Sequence, residues 1–463
     1  MDFLSDRTIA AISTAMGASG IGIVRMSGND SMEIMSKIFR PKNNKKNMME
    51  ADSHTIHYGH ICDGDETVDE VLVMIMKAPH TYTGEDTVEI DCHGGILAQK
   101  KVLETAVKYG ARPAEPGEFT KRAFLNGKMD LSQAEAVIDV INAKNEYALK
   151  SSLSQLKGSL EKKIKEIREN LIYQVAFIES ALDDPEHISI DGYGKELLKK
   201  VREERKKIER LIASSDEGKL IQEGIRTVIL GKPNAGKSSL LNVLVKEEKA
   251  IVTDIEGTTR DILEENIMLH GISLKLIDTA GIRQTEDIVE KIGVEKARQT
   301  AKDADLILYV ADSSRPLDEN DKDIIRLIQE ERKKAIVLLN KSDLDGTLTK
   351  DQIKEKLDVP VIEISALEET GIEKLEECMK EMFFQGDISF NDEVYITNIR
   401  HKAALEEAKR SLDMVEQSIE DSMPEDFFSI DLLGAYEALG SITGESLGED
   451  LVNEIFSKFC TGK

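Results

Sequence analysis

The segment Gly231-Lys232-Pro233-Asn234-Ala235-Gly236-Lys237-Ser238 constrains this chain of 463 residues more than any other feature. It has the form GxxxxGK[ST], follows the apolar run RTVIL and opens the run SSLLNVLV. That context predicts a strand, a tight loop and a helix, with backbone N–H groups wrapped around a phosphate chain. Glycine permits the backbone angles that turn those groups inward, and the helix N-terminus adds positive potential. Lys237 would reach the β- and γ-phosphates, and the Ser238 hydroxyl would ligate Mg2+. Asn234, Ala235, Gly236 and Ser239 complete the expected cradle.

Further elements follow in the order a guanine-nucleotide site requires. Asp278, Thr279, Ala280 and Gly281 close one strand-like run; Asp278 would hold Mg2+ through water, and the Gly281 N–H would sense the γ-phosphate. Asn340, Lys341, Ser342 and Asp343 close another. The Asp343 carboxylate can accept from the guanine N1–H and the exocyclic amine together. Adenine presents neither donor there, so ATP would leave a buried charge unpaired. Ser365, Ala366 and Leu367 close the last run and would set a backbone N–H near the guanine carbonyl. Between the first two elements lie Thr253, Asp254, Ile255, Glu256, Gly257, Thr258 and Thr259, expected to contact the nucleotide, with Thr259 as the second Mg2+ ligand. GTP is the expected ligand.

Hydrolysis needs a positioned water and a countercharge. After DTAG a small signalling GTPase places Gln to orient the water, but here the position is Ile282, which can orient nothing. Glu286, Asp287 and Glu290 are the acidic candidates that follow. The countercharge can be an Arg finger, Arg283 or Arg260, or a bound cation held by Asn234 and the oxygen-rich stretch 253–258.

Around this unit the texture changes. Residues 1–128 read as short strand-like runs with one helical pattern, an α+β domain. Residues 129–223 are helical, residues 224–385 alternate strand and helix as in a doubly wound, mostly parallel α/β sheet, and residues 386–463 are helical again. Neither helical block can bury its apolar stripe alone, so the economical reading is one helical domain with the α/β domain inserted; two separate bundles are the alternative. Hydrophobic content of 40% allows each domain a core. The four cysteines, Cys62, Cys92, Cys378 and Cys460, are far apart, which argues against a disulfide framework or a zinc knuckle. No signal peptide and no membrane-spanning run is read, so a cytoplasmic protein without membrane contact is expected.

GKPNAGKSSLLN, TDIEGTTRD, DTAGIR, NKSD and the tail Phe459-Cys460-Thr461-Gly462-Lys463 together resemble the MnmE (TrmE) family of tRNA-modification GTPases. The resemblance covers the whole chain, including PHTYTGEDTVEIDCHGG and GEFTKRAFLNGKMDLSQAEAV in the first part. It implies a multidomain protein: an N-terminal tetrahydrofolate-binding-like α+β domain, a helical domain and an inserted P-loop GTPase domain. It also implies a potassium-activated GTP hydrolase working as a homodimer with the flavoprotein MnmG, which carries the FAD. Together they would place a carboxymethylaminomethyl or aminomethyl group on the wobble uridine of certain tRNAs. On this resemblance Asn234, Thr253, Ile255 and Thr258 would bind K+, where an Arg finger would otherwise stand, and Glu290 would orient the water. Arg25, Glu85, Lys128 and Lys463 would hold a reduced folate, 5-formyl- or methylene-tetrahydrofolate, that donates the one-carbon unit; the cations suit its glutamyl carboxylates, and Glu85 its pterin donors.

Cys460 offers a nucleophile, but no His lies near it in sequence to lower its pKa, so it is read as adjacent to a site, with catalysis as the alternative. Thr461 stands where the family usually has an aliphatic residue. The histidines of HTIHYGHIC are read as strand decoration, not metal ligands. A competing function is an Era-like switch in ribosome assembly, which should carry a basic RNA-binding module such as a KH domain, and none follows the G domain.

The formal charge of −26 is unevenly spread: residues 1–128 and 129–223 carry −3 each, 224–385 carry −9 and 386–463 carry −11. The G domain should therefore not grip tRNA; that grip should come mostly from a basic partner subunit, with the first half of the chain as the alternative. The cluster Lys199, Lys200, Arg202, Arg205, Lys206, Lys207 and Arg210 is read as a solvated, salt-bridged helix.

Overall fold

A computed structural model describes residues 7–42, 47–189, 192–247, 265–269, 271–277, 298–384, 394–445, 448–460 and 462. The chain divides into two compact units, Met1–Ile138 with Gln155–Ile172 and Tyr436–Lys463, and Asp139–Ser154 with Tyr173–Ala435.

The first unit contains β1 (Ile9–Ile12), β2 (Ile21–Ser27), β3 (Phe39–Pro41), β4 (Thr55–Asp63), β5 (Glu66–Met76), β6 (Thr87–His93) and β7 (Arg112–Pro113). They form one sheet in the order β3-β4-β5-β6-β2-β1-β7, antiparallel except between β1 and β7. Alternation along β2 sends Val24 and Met26 into the main core, which the helix Ile96–Lys108 closes with Val102 and Ala106. Arg25 and Ser27 therefore take the opposite face, and the β2–β6 register sets Glu89 across from Arg25. On that face Ile9, Ala11, Ala114 and Phe119 form a small cluster with Tyr82.

The end of the chain returns to this unit. Val452 and Phe456 of the helix Glu449–Ser457, with Phe459, join Leu131 and Ala134 of the helix Leu131–Asn142 in one core. Arg168 donates to the Tyr436 carbonyl at 3.2 Å and pairs with Glu445 at 2.6 Å.

The second unit contains β8 (Ile225–Leu230), β9 (Glu265–Leu269), β10 (Ile272–Leu276), β11 (Leu306–Asp312), β12 (Lys334–Asn340) and β13 (Val361–Glu363). Their order is β13-β12-β11-β8-β10-β9, with β9 the antiparallel member. Every residue of β11 is buried, and its side chains alternate between a core on each face, as a covered parallel sheet requires. The strand order reverses at β8, which lies between β10 and β11 and leaves a crevice at its carboxyl end.

Two long helices of this unit, Tyr193–Glu223 and Ile399–Glu420, come from opposite sides of the sheet sequence. Arg202 pairs with Glu416, and Arg205 with Glu416 at 2.6 Å and Asp413 at 3.0 Å. Arg202 and Arg205 of the basic cluster are thus neutralised in place, as expected of a salt-bridged helix. Helices from before and after the α/β segment pack together within each unit. The P-loop domain is therefore an insertion, and two separate bundles are set aside. Among the described residues no helix is long and apolar enough to cross a membrane.

Candidate functional site

At the carboxyl end of β8 the chain turns through Gly231 to Gly236 and enters the helix Lys237–Glu247. Asn234 has φ 64° and Gly236 φ +100°, so the loop uses backbone space that L side chains rarely occupy. Lys237 donates from Nζ to the carbonyls of Gly231 at 2.6 Å and Lys232 at 2.7 Å. Burial pulls its pKa below the usual lysine value, because these neutral partners do not replace lost hydration. Among the described residues this ammonium meets carbonyls alone, so it gains much from an arriving anion. Ser238 is half-buried at the helix start and Ser239 is exposed.

Asn340, at the end of β12, fastens this loop to the base-recognition turn. Its Nδ2 donates to the Ala235 carbonyl at 2.8 Å, and its Oδ1 accepts from the Ala366 N–H at 3.0 Å. Lys341, with φ 65°, pairs with Asp312 at 2.6 Å. Burial pushes the Asp312 carboxyl up, but the bonds from Lys341 and Ser314 outweigh it and hold the carboxyl below its ordinary value. Asp343 is exposed and accepts from the Ser365 hydroxyl at 2.6 Å; Ser365 in turn accepts from the Glu368 N–H at 3.2 Å. Leu367 is exposed beside them. The structure thus joins the Asn234–Ser239 loop, Asn340, Lys341, Asp343 and the 365–367 turn at one sheet end. Thr253, Asp254, Ile255, Glu256, Gly257, Thr258, Thr259, Asp278, Thr279, Ala280, Gly281 and Glu290 lie outside the described residues, as do Arg260, Ile282, Arg283, Glu286 and Asp287.

A second polar group gathers in the first unit. Arg25 donates from Nε to Glu89 at 2.7 Å and from Nη1 to the Gly462 carbonyl at 3.4 Å. Its guanidinium lies 5.8 Å from the Tyr82 ring centre and 5.7 Å from that of Phe119. Ser13 also donates to the Gly462 carbonyl, at 3.1 Å. Glu85 accepts from Ser27 at 2.7 Å and from Arg122 on both oxygens at 3.1 Å. Arg122 also reaches Glu118, which pairs with Arg112. Burial raises the Glu118 carboxyl, but hydrogen bonds from Arg112 and the Glu115 N–H, with the charges of both arginines, bring it below its ordinary value. Lys128 donates to the Pro79 carbonyl at 3.0 Å.

The tail is tied down here: the Cys460 carbonyl accepts from Gly117 at 3.3 Å, two residues before the carbonyl that meets Arg25. Cys460 is exposed, while Cys62 and Cys92 are buried. Lys463 lies outside the described residues. Of the histidines, His93 pairs with Asp69 at 2.7 Å and His60 lies 3.9 Å from Glu70, while His54 stands just before β4 with φ 61°. Among the described residues no group of three or more His, Cys, Asp or Glu is arranged to hold a metal ion.

Sequence reasoning passed over Asp312 and Arg122. Asp312 had a signal, a carboxylate ending a strand beside the crevice. Arg122 had only a helical four-residue spacing to Glu118, which is common on any surface.

The family model described as "MnmE helical domain" matches residues 131–460, and that described as "GTP-binding protein TrmE N-terminus" matches residues 8–128. A protein of Lachnoclostridium phytofermentans named "tRNA modification GTPase MnmE" is 59% identical over 98% of this chain and 99% of its own length. This chain belongs to the MnmE family. MnmE proteins of the same printed name from Thermoanaerobacter pseudethanolicus and Alkaliphilus oremlandii are each 50% identical, over 98% and 99% of this chain and 99% of their own lengths. The two matched MnmE segments contain both polar groups: Arg25, Glu85 and Lys128 in the first, and the nucleotide crevice in the second.

Proposed function

We propose that this MnmE-family GTP hydrolase acts in tRNA modification as a potassium-activated enzyme. It would work as a homodimer with an MnmG-like flavoprotein on the wobble uridine of certain tRNAs. The observation that carries the reading is the parked Lys237, a half-buried cation that among the described residues bonds to carbonyls alone, inside a loop fastened by Asn340. On arrival of GTP the ammonium transfers to the β- and γ-phosphates, and the loop N–H groups take the remaining oxygens. Ser238 and Thr259 hold Mg2+, and Glu290 orients the water. Asn234 presents an amide oxygen of the hard type K+ selects, with Thr253, Ile255 and Thr258 as its partners. K+ supplies positive charge where an arginine would otherwise stand, and Glu290, by orienting the water, takes the role that Ile282 cannot fill at the usual glutamine position.

This assignment predicts that hydrolysis at equal ionic strength is at least about tenfold faster in K+ than in Na+, below the usual scale of a well-aimed electrostatic group. Steady-state phosphate release reads it, and equal rates would remove potassium from the mechanism.

The polar group around Arg25 and Glu85 fits a reduced folate. A guanidinium has five N–H donors, so Arg25 keeps capacity for a glutamyl carboxylate, with Lys128 and Lys463 as its companions. Glu85 accepts from the pterin donors beside the bonds it takes from Arg122. The bound folate supplies the one-carbon unit; FAD stays with the partner. Cys460 is adjacent to this group through its tail. Glu85→Gln in the full chain should weaken 5-formyl-tetrahydrofolate binding about tenfold, the scale of one charge-assisted bond. Calorimetric titration giving unchanged affinity would reassign Glu85. Cytoplasmic location and tRNA contact mainly through a basic partner complete the reading. Mass analysis of wobble uridines in cells lacking this protein tests the whole; unmodified levels equal to the parent's would overturn it.

A further inference from the structure

Lys232 fills a position that the phosphate-loop motif leaves free, yet its side chain is only 15% exposed. It turns away from the crevice toward the helix Glu319–Glu331, where its Nζ lies 2.6 Å from Asp321 and 2.9 Å from Asp318. Asp321 is 2% exposed and accepts from the Tyr309 hydroxyl at 2.7 Å; Tyr309 is fully buried in the middle of β11. Asp318 caps the same helix, and the Asp318 and Asp321 carboxylates each accept from the other's backbone N–H. Burial pulls the Lys232 pKa down, but its bonds to Asp321 and Asp318 outweigh that and leave the pKa above its ordinary value. The main-chain carbonyl of this same residue accepts from the Lys237 ammonium at 2.7 Å and from the Ala235 N–H at 3.3 Å.

One residue thus carries two loads. Its side chain is clamped to a buried carboxylate in the sheet core, and its backbone shapes the loop that meets the phosphates. We propose that Lys232 is a positioning residue that anchors the phosphate loop to Asp321 and Tyr309 and thereby sets nucleotide affinity. It also balances two carboxylates that would otherwise lie uncompensated beneath a triphosphate. When Lys237 leaves the Lys232 carbonyl for a phosphate, the loop loses an internal cross-link. The Lys232 side chain keeps the loop in place through that exchange.

A role in affinity predicts a split between binding and turnover. In the full chain, Lys232→Met should weaken GDP binding and raise KM for GTP about tenfold or more, the scale of a lost charge-assisted bond. Any fall in kcat at saturating GTP should be several-fold smaller than the rise in KM, because the bound triphosphate itself helps to seat the loop. Lys232→Arg, which keeps the charge, should recover most of the affinity. Calorimetric GDP titration and steady-state GTP hydrolysis read both quantities. GDP affinity within twofold of the parent for Lys232→Met, or no recovery by arginine, overturns the anchor. A fall in kcat with KM unchanged does so equally. Should Lys232→Met fail to fold, Asp321→Asn serves instead, since an amide oxygen still accepts from Tyr309 while the charge is lost. Unchanged GDP affinity there is the overturning result.

Discussion

Gly236→Ala should abolish nucleotide binding while leaving the rest of the chain folded. The residue has φ +100°, and a Cβ built there would overlap the Nδ2 of Asn340. A steric clash with a side-chain end is usually relieved by rotation. Here it is not, because Asn340 is 2% exposed and bonded at both ends of its amide, to Ala235 and to Ala366. Retreat would break both bonds inside a core, at about 1–3 kcal/mol for each buried group left unpaired. Holding alanine at this φ adds strain of about 1–3 kcal/mol. Moving the loop instead displaces the N–H groups and Lys237 from any phosphate. Either way the binding geometry is lost, with an affinity fall of at least about a hundredfold for GTP and GDP alike. Equilibrium binding of a fluorescent GDP analogue measures it. Far-UV circular dichroism should change little, because β8 and the helix after the loop keep their cores. Binding within tenfold of the parent would mean that Asn340 is not the rigid clamp described.

What the sequence made legible here was local. The Gly231–Ser238 loop, the Asn340–Asp343 turn and the 365–367 turn are each short, and their chemistry resides in backbone conformation and one or two side chains. Their meeting at one sheet end follows from strands β8, β12 and β13 being parallel, since parallel strands deliver their carboxyl ends together. The insertion was legible because two incomplete amphipathic blocks need each other. Pairings between distant segments were not legible from periodicity or spacing. Arg25 meets the Gly462 carbonyl across 437 residues, and Glu85 meets Arg122 across 37, with no period linking either pair. Family resemblance placed Lys463 near Arg25 but was silent on Arg122. Lys232 was hidden for the opposite reason: it sits inside the best-recognised motif, at a position that the motif ignores.

Asp343→Asn should invert base preference, and the reason lies in Ser365. The Ser365 hydroxyl oxygen accepts from the Glu368 N–H, so its proton is left to donate to Asp343. In the parent that bond occupies one carboxylate oxygen while the carboxylate remains able to accept from guanine N1–H and the exocyclic amine. An asparagine would keep its Oδ1 on the Ser365 hydroxyl, since only the oxygen can accept there. Its Nδ2 would then face the base and set a donor against the guanine amine. The variant loses a charge-assisted pair and gains a donor–donor clash, so KM for GTP should rise about a hundredfold or more, as for a site left with an unpaired polar group. Xanthine carries a carbonyl in place of that amine, which the new Nδ2 can satisfy. Xanthosine triphosphate should therefore become the better substrate, with kcat near the parent's GTP value because the phosphate loop is untouched. Competing steady-state hydrolysis of the two nucleotides reads the ratio directly. A variant that still prefers GTP would place the guanine edge somewhere other than Asp343.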